Sequence, residues 1–136
     1  MYLVDTNVWL ERLLNQDKSD EAGRFLTQVP AHDLFVTDFT FHSICVILTR
    51  LSLGRVLLDF VQDVFVDGAV GLVSIKPADT LALVDVMSKY GLDFDDAYQY
   101  IAAEQNGLTI ISLDADFDRT ERGKRTPAEI LREAST

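Results

Sequence analysis

The stretch LDFDDAYQYIAAEQNGLTIISLDADFDR, residues 92–119, decides how this chain is read. Asp93, Asp95 and Asp96 cluster at its start. Acids there suit the positive end of a helix dipole and predict a helix opening. Asn106-Gly107 supplies the stop, because glycine takes the left-handed cap conformation without strain. Leu108–Ser112 is short, apolar and β-branched, the pattern of a buried strand. Asp114 and Asp116 follow it. In a parallel α/β sheet, helix starts and the carboxyl ends of strands face the same rim, where sites form. One helix and one strand thus deliver several carboxylates to one edge.

Reading outward, Tyr2–Asp5 is a second short strand, ending in Asp5. Thr6 or Asn7 can cap a helix through Leu14, with Val8, Leu10, Leu13 and Leu14 inward. Ser19, Asp20 and Glu21 open another helix, reaching about Gln28. Leu34–Thr37 reads as a strand, followed by Asp38 and a helix from about Phe39 to Leu51. Gly54 marks a break, and Arg55–Val66 is expected as one helix with Leu57, Leu58, Val61 and Val64 inward. Val70–Ile75 is a further strand. Pro77 and Gly91 bracket the next helix, as their positional preferences dictate. Thr126-Pro127-Ala128-Glu129 has the form of a capping box opening a last short helix. Strands alternating with helices predict an α/β fold, three-layer α/β/α with a mostly parallel central sheet, in one domain over 1–136.

Composition sets limits. Hydrophobic residues make up 48% of 136, enough for one core. No run approaches the roughly 20 apolar residues of a spanning helix, and the start MYLVDTN lacks the three parts of a signal peptide. The lone Cys45 sits in an apolar run and reads as a small buried hydrophobe with no internal disulfide partner. A cytoplasmic location without membrane contact is the expectation. The net charge of −10 opposes nucleic-acid binding. That objection weakens if some carboxylates hold cations, because a bound cation inverts the local field.

Each Asp taken singly is explained as a cap or turn residue. Their conjunction is not. Carboxylates a few ångströms apart cannot all stay ionised, so they take up protons or a metal. Oxygen ligands without a Cys or His cluster select hard cations, Mg²⁺ or Mn²⁺.

At this point the motifs resemble the PIN-domain family. LVDTNVWL looks like its opening strand ending in Asp-Thr-Asn. Residues 92–119 look like its helix-opening Asp-Ala pair and later strand ending in Ser-x-Asp-x-Asp-Phe. The resemblance spans nearly the whole chain and implies a metal-dependent endoribonuclease, leaving 5′-phosphate and 3′-hydroxyl ends. Small single-domain members are often VapC-type toxins, so it also implies an RNA substrate, a small antitoxin partner and a homodimer. Carried over by position, Asp5, Asp96 and Asp114 become metal ligands, with Asp116 as a fourth catalytic acid. Thr6 and Ser112 become supporting hydroxyls. The family's usual Glu after the second strand is replaced by Ser43, with Asp38, Asp93 and Asp95 as acids able to compensate and His42 as a neighbour. Arg119, Arg122, Lys124 and Arg125 follow the last acidic motif as candidate RNA contacts.

The alternative is a degenerate PIN domain that binds RNA or protein with weak or no cleavage, and Ser43 favours it. A haloacid-dehalogenase-type phosphatase needs a second acid where Asn7 stands. A receiver domain needs an Asp where the third strand runs into Ser74-Ile75-Lys76. A purely structural domain would leave every acid a cap.

Overall fold

Four strands form the centre of the molecule in a computed structural model that describes residues 1–135: β1 (Tyr2–Val4), β2 (Leu34–Thr37), β3 (Gly71–Val73) and β4 (Thr109–Ile111). Thr136, the last residue of the expected domain, lies outside the described residues. The strands are all parallel, in the order β3-β2-β1-β4. Leu3 therefore stands between Phe35 and Ile110. This pairing sets the first strand beside the last, and the Asp5 N–H donates to the Ile111 carbonyl at 2.9 Å.

Among the described residues seven α-helices cover the sheet: α1 (Thr6–Leu13), α2 (Ser19–Gln28), α3 (Asp38–Arg50), α4 (Gly54–Val61), α5 (Thr80–Tyr90), α6 (Phe94–Asn106) and α7 (Pro127–Ala134). Alternation along each strand splits the core in two. Val4, Val36 and Ile111 face Val8, Phe25, Ile44, Leu48, Phe60 and Ile130. Leu3 and Ile110 face the other way, onto Leu83, Ala97, Ile101 and Phe117. Helices α5 and α6 thus cover one face, and α1 to α4 with α7 cover the other. Each fully buried Val, Leu, Ile or Phe among them stabilises the fold by about 1.5–3 kcal/mol.

Caps lock the helices at the rim. Asp5 caps α1, Thr37 caps α3 by accepting from Thr40 N at 2.9 Å, and Asp93 caps α6 by accepting from Asp96 N at 3.0 Å. Thr126 caps α7, with Pro127 in its first position. Gly91 and Gly107 close α5 and α6 at φ of 67° and 62°. That conformation is why glycine stands at both ends.

The structure differs from expectation in several places. Strand one stops at Val4, because Asp5 turns its carboxylate to the α1 N-terminus. The break after α3 is made by Leu51–Leu53, with Ser52 at φ 59°, and Gly54 instead opens α4. The single helix expected over 55–66 gives way after Val61 to wide turns over Gln62–Val66. Asp67 N–H closes them on Gln62 O at 2.8 Å. Leu58 points to solvent, 64% exposed, and Phe60 is the buried anchor. Two residues apart on a helix means opposite faces, and Val56, Phe60 and Val64 form the inward row at i, i+4. Trp9 joins that core edge-on to Phe60. Cys45 is half-buried and lies outside both clusters. Among the described residues no helix is long and apolar enough to cross a membrane.

Gly71 packs its backbone against Phe35 on the neighbouring strand, where a Cβ would lie 2.5 Å from the ring. Gly71→Ala is therefore expected to cost about 1–3 kcal/mol by overpacking. Urea unfolding would read this as a lowered midpoint with an unchanged slope.

Candidate metal centre

The rim holds a cavity of about 310 Å³ lined by Asp5, Ser43, Asp93, Asp95, Asp96 and Asp114, among others. Asp5 sits at its back, 5% exposed. Its carboxylate accepts four hydrogen bonds. Oδ1 takes Thr6 N at 2.7 Å and Gln99 Nε2 at 2.6 Å. Oδ2 takes Ser112 Oγ at 2.7 Å and Asn7 Nδ2 at 3.2 Å. Burial pushes this carboxyl above its ordinary range, and Asp114 adds to that by like charge. The bonds from Ser112, Gln99 and Thr6 pull it back.

Asp96 stands in the first turn of α6 and is 6% exposed. Its pKa is pushed up to about 7, first by burial and then by Asp93, Asp114, Asp5 and Asp116. Asp114 and Asp116 reach it from the loop after β4. That loop is held by Asp114 N donating to Ser112 Oγ at 2.9 Å and Asp116 N donating to Asp114 Oδ1 at 2.8 Å. One carboxylate oxygen from each of Asp96, Asp114 and Asp116 lies within 4.8 Å of the others. Such a cluster matches the all-oxygen donor set that hard divalent cations take.

Most of the expected residues meet here, with changes in detail. The closest triple is Asp96–Asp114–Asp116, and Asp5 stands behind it, engaged by four donors. Ser112 is the hub, bonded to Asp5, Asn7 and Asp114. Thr6 donates its hydroxyl to Thr40 at 3.0 Å and lines the cavity. Ser43 lines it too, and Asp93 combines that with capping α6. Asp38 does not join them. Its Oδ1 accepts Tyr98 Oη at 2.7 Å and Phe39 N at 2.9 Å, which turns it from the cavity. His42 is exposed and lines a neighbouring groove on α3.

The basic run is tied back to the fold. Arg119 pairs with Asp116 at 3.3 Å and donates to Gly91 O. Arg122 donates to Leu108 O at 2.9 Å. Lys124 pairs with Asp118 at 3.1 Å, and Arg125 holds Glu129 at 2.9 Å and also Glu133. These contacts engage part of the donor set that an RNA backbone would need.

Two site residues were not singled out from the sequence, Gln99 and Asn7. Helical spacing carried a signal for the first, since Gln99 follows Asp96 by three and shares its face of α6. Asn7 donates to both Asp5 and Ser112 while accepting Leu113 N at 3.2 Å, so it joins α1 to the loop after β4.

A family model for the PIN domain matches residues 2–123. The chain belongs to the PIN-domain family. Solved structures share this PIN fold. A toxin–antitoxin complex from Klebsiella pneumoniae matches with TM-score 0.75 at 20% identity, covering 93% of this chain and 98% of that one. VapC20 from Mycobacterium tuberculosis, a toxin that cleaves the sarcin–ricin loop, matches with TM-score 0.74 at 15% identity over 87% and 93%. FitAcB from Neisseria gonorrhoeae matches with TM-score 0.73 at 20% identity over 94% and 99%. At these identities the likeness is one of fold. No curated protein sequence matches the chain.

The Asp96 shift sets a pH signature for this PIN domain. A native carboxyl that still holds its proton up to a pH of about 7, against an ordinary value of 3.8, stabilises the fold less as pH rises through that window. Asp96→Asn removes the charge. Without metal the variant should melt above wild type at alkaline pH, and the gap should close in acid. Scanning calorimetry across pH measures this, and a gap independent of pH would contradict the assignment.

Proposed function

We propose that this PIN domain is a divalent-metal-dependent endoribonuclease using Mg²⁺ or Mn²⁺, and the toxin of a VapBC-type toxin–antitoxin pair. The observation that carries the reading is the gathering of Asp96, Asp114 and Asp116 within 4.8 Å, with Asp96 and Asp114 lining the same cavity of a PIN fold as buried Asp5. These acids repel one another, Asp5 and Asp116 included in raising Asp96, and a cation relieves that repulsion more completely than protons do near neutral pH. Asp5, Asp96 and Asp114 are assigned as the metal-facing carboxylates, with Asp116 orienting or adding a ligand. A divalent cation held there supplies charge stabilisation to the phosphate and lowers the pKa of an attacking water. Ser112 and Asn7 keep Asp5 and the Asp114 loop in register. Thr6 keeps the start of α1 against α3. Arg119, whose guanidinium already meets Asp116, is the member of the basic run best set to meet a phosphate beside the trio.

The antitoxin reading draws on the fold likeness to a toxin–antitoxin complex and on the acidic cavity, which suits an inserted basic side chain. Val46, Leu51, Leu58 and Val66 are exposed on α3, α4 and the turns that follow, as an antitoxin or a second copy would require. A cytoplasmic toxin acting on RNA is consistent with the lack of a membrane-crossing helix among the described residues. The second reading, a domain that binds RNA or protein without cutting, is favoured by Ser43, which contributes a hydroxyl to the cavity wall where a carboxylate would bind metal more strongly.

Purified protein with millimolar Mn²⁺ is expected to cleave mixed RNA, and chelation to stop it. Asp5→Asn and Asp96→Asn should each lose about 10²-fold or more, the order of effect expected when charge stabilisation at a transition state is removed. Equal degradation by wild type and both variants would leave only contamination. Ser43→Glu adds a sixth acid to the cavity wall and should tighten Mn²⁺ binding, seen as a larger Mn²⁺-dependent rise in melting temperature. An unchanged rise would show that this wall does not face the ion.

A further inference from the structure

We infer that Gln99 is a positioning residue that holds Asp5 in place for the cation. The inference rests on the cation site proposed above. Three of the four donors to Asp5 come from its own segment or from the β4 end: Thr6 N, Asn7 and Ser112. Gln99 is the donor from α6, the helix that also carries Asp96. Its bond at 2.6 Å is the shortest of the four. The side chain therefore ties Asp5, on the first strand's end, to the helix that presents Asp96, and sets how two buried carboxylates face one another.

The other end of the same amide strengthens the case. Gln99 is 4% exposed, and its Oε1 is buried with no hydrogen-bond partner. Leaving a buried acceptor unpaired costs about 1–3 kcal/mol. A position that served packing alone would be filled at less cost by an apolar side chain of the same length. With Asp5 ionised, as a metal ligand is, the amide cannot turn over to relieve the orphan, because Oε1 would then meet a group that only accepts. The charge on Asp5 thus dictates which way the amide points, and the fold tolerates the unpaired oxygen for the sake of that contact. Residues behind a metal ligand commonly set its orientation in this way.

Gln99→Met and Gln99→Leu keep the bulk and remove the donor. The readout is the Mn²⁺ dissociation constant of the full chain, from the electron paramagnetic resonance of free Mn²⁺, with no RNA present. Metal-free melting temperatures establish that the variants fold, and two apolar replacements guard against failure of one. Both variants should weaken Mn²⁺ binding roughly 10–100-fold, as loss of such a support does elsewhere. In an Asp5→Asn background the same change should alter binding by less than about twofold, because the residue it acts through is already gone. Wild-type affinity in both variants would overturn the inference. So would an equal loss with and without Asp5, which would mark Gln99 as packing alone. A wild type that binds no Mn²⁺ would overturn the cation site itself and this inference with it, whereas a wild type that binds while the Gln99 variants bind equally well sinks only the role of Gln99.

Discussion

A carboxylate buried at the end of the first strand organises this molecule. Asp5 has almost no water to solvate it, and a buried unpaired charge would be prohibitive. Its four donors come from α1, α6 and the β4 end. Satisfying one side chain thus obliges a helix start, a second helix and a strand end to meet at one point. The strand order places β1 beside β4, and this makes the Ser112 contact possible across more than a hundred residues of chain.

The same arrangement concentrates negative charge. Asp96 is raised to about 7 by burial and by Asp93, Asp114, Asp5 and Asp116 acting together. Such a pocket is a local conflict within an otherwise consistent fold, since caps, glycines and core pattern all agree with one another. Natural proteins keep conflicts of this kind where chemistry is done. The fold tolerates the repulsion because donors from Ser112, Gln99 and Asn7 offset it at Asp5 while leaving the Asp96–Asp114–Asp116 face open.

The surface electrostatics follow from the same economy of charge. A chain with net charge −10 has few cations to spare. Arg122, Lys124 and Arg125 fasten the segment between β4 and α7, and only Arg119 stands at the acidic trio itself. Local clustering in sequence made these four look like one basic patch, but side-chain pairing divides them among separate structural tasks.

What the sequence determined alone was local. Hydrophobic period and caps placed helices such as α6, between Asp93 and Gly107, because these signals act within a few residues, but they missed the end of α4 at Val61. Acids at the ends of strands one and four were legible, because a strand's end and a helix's start are marked by composition. Three things waited on the tertiary structure. Strand order brought Asp5 beside Ser112. Side-chain competition took Asp38 to Tyr98 and put Asp116 in the closest triple. Burial made Gln99 a partner of Asp5. Each depends on contacts between residues far apart in the chain, and such contacts leave no periodic trace along it.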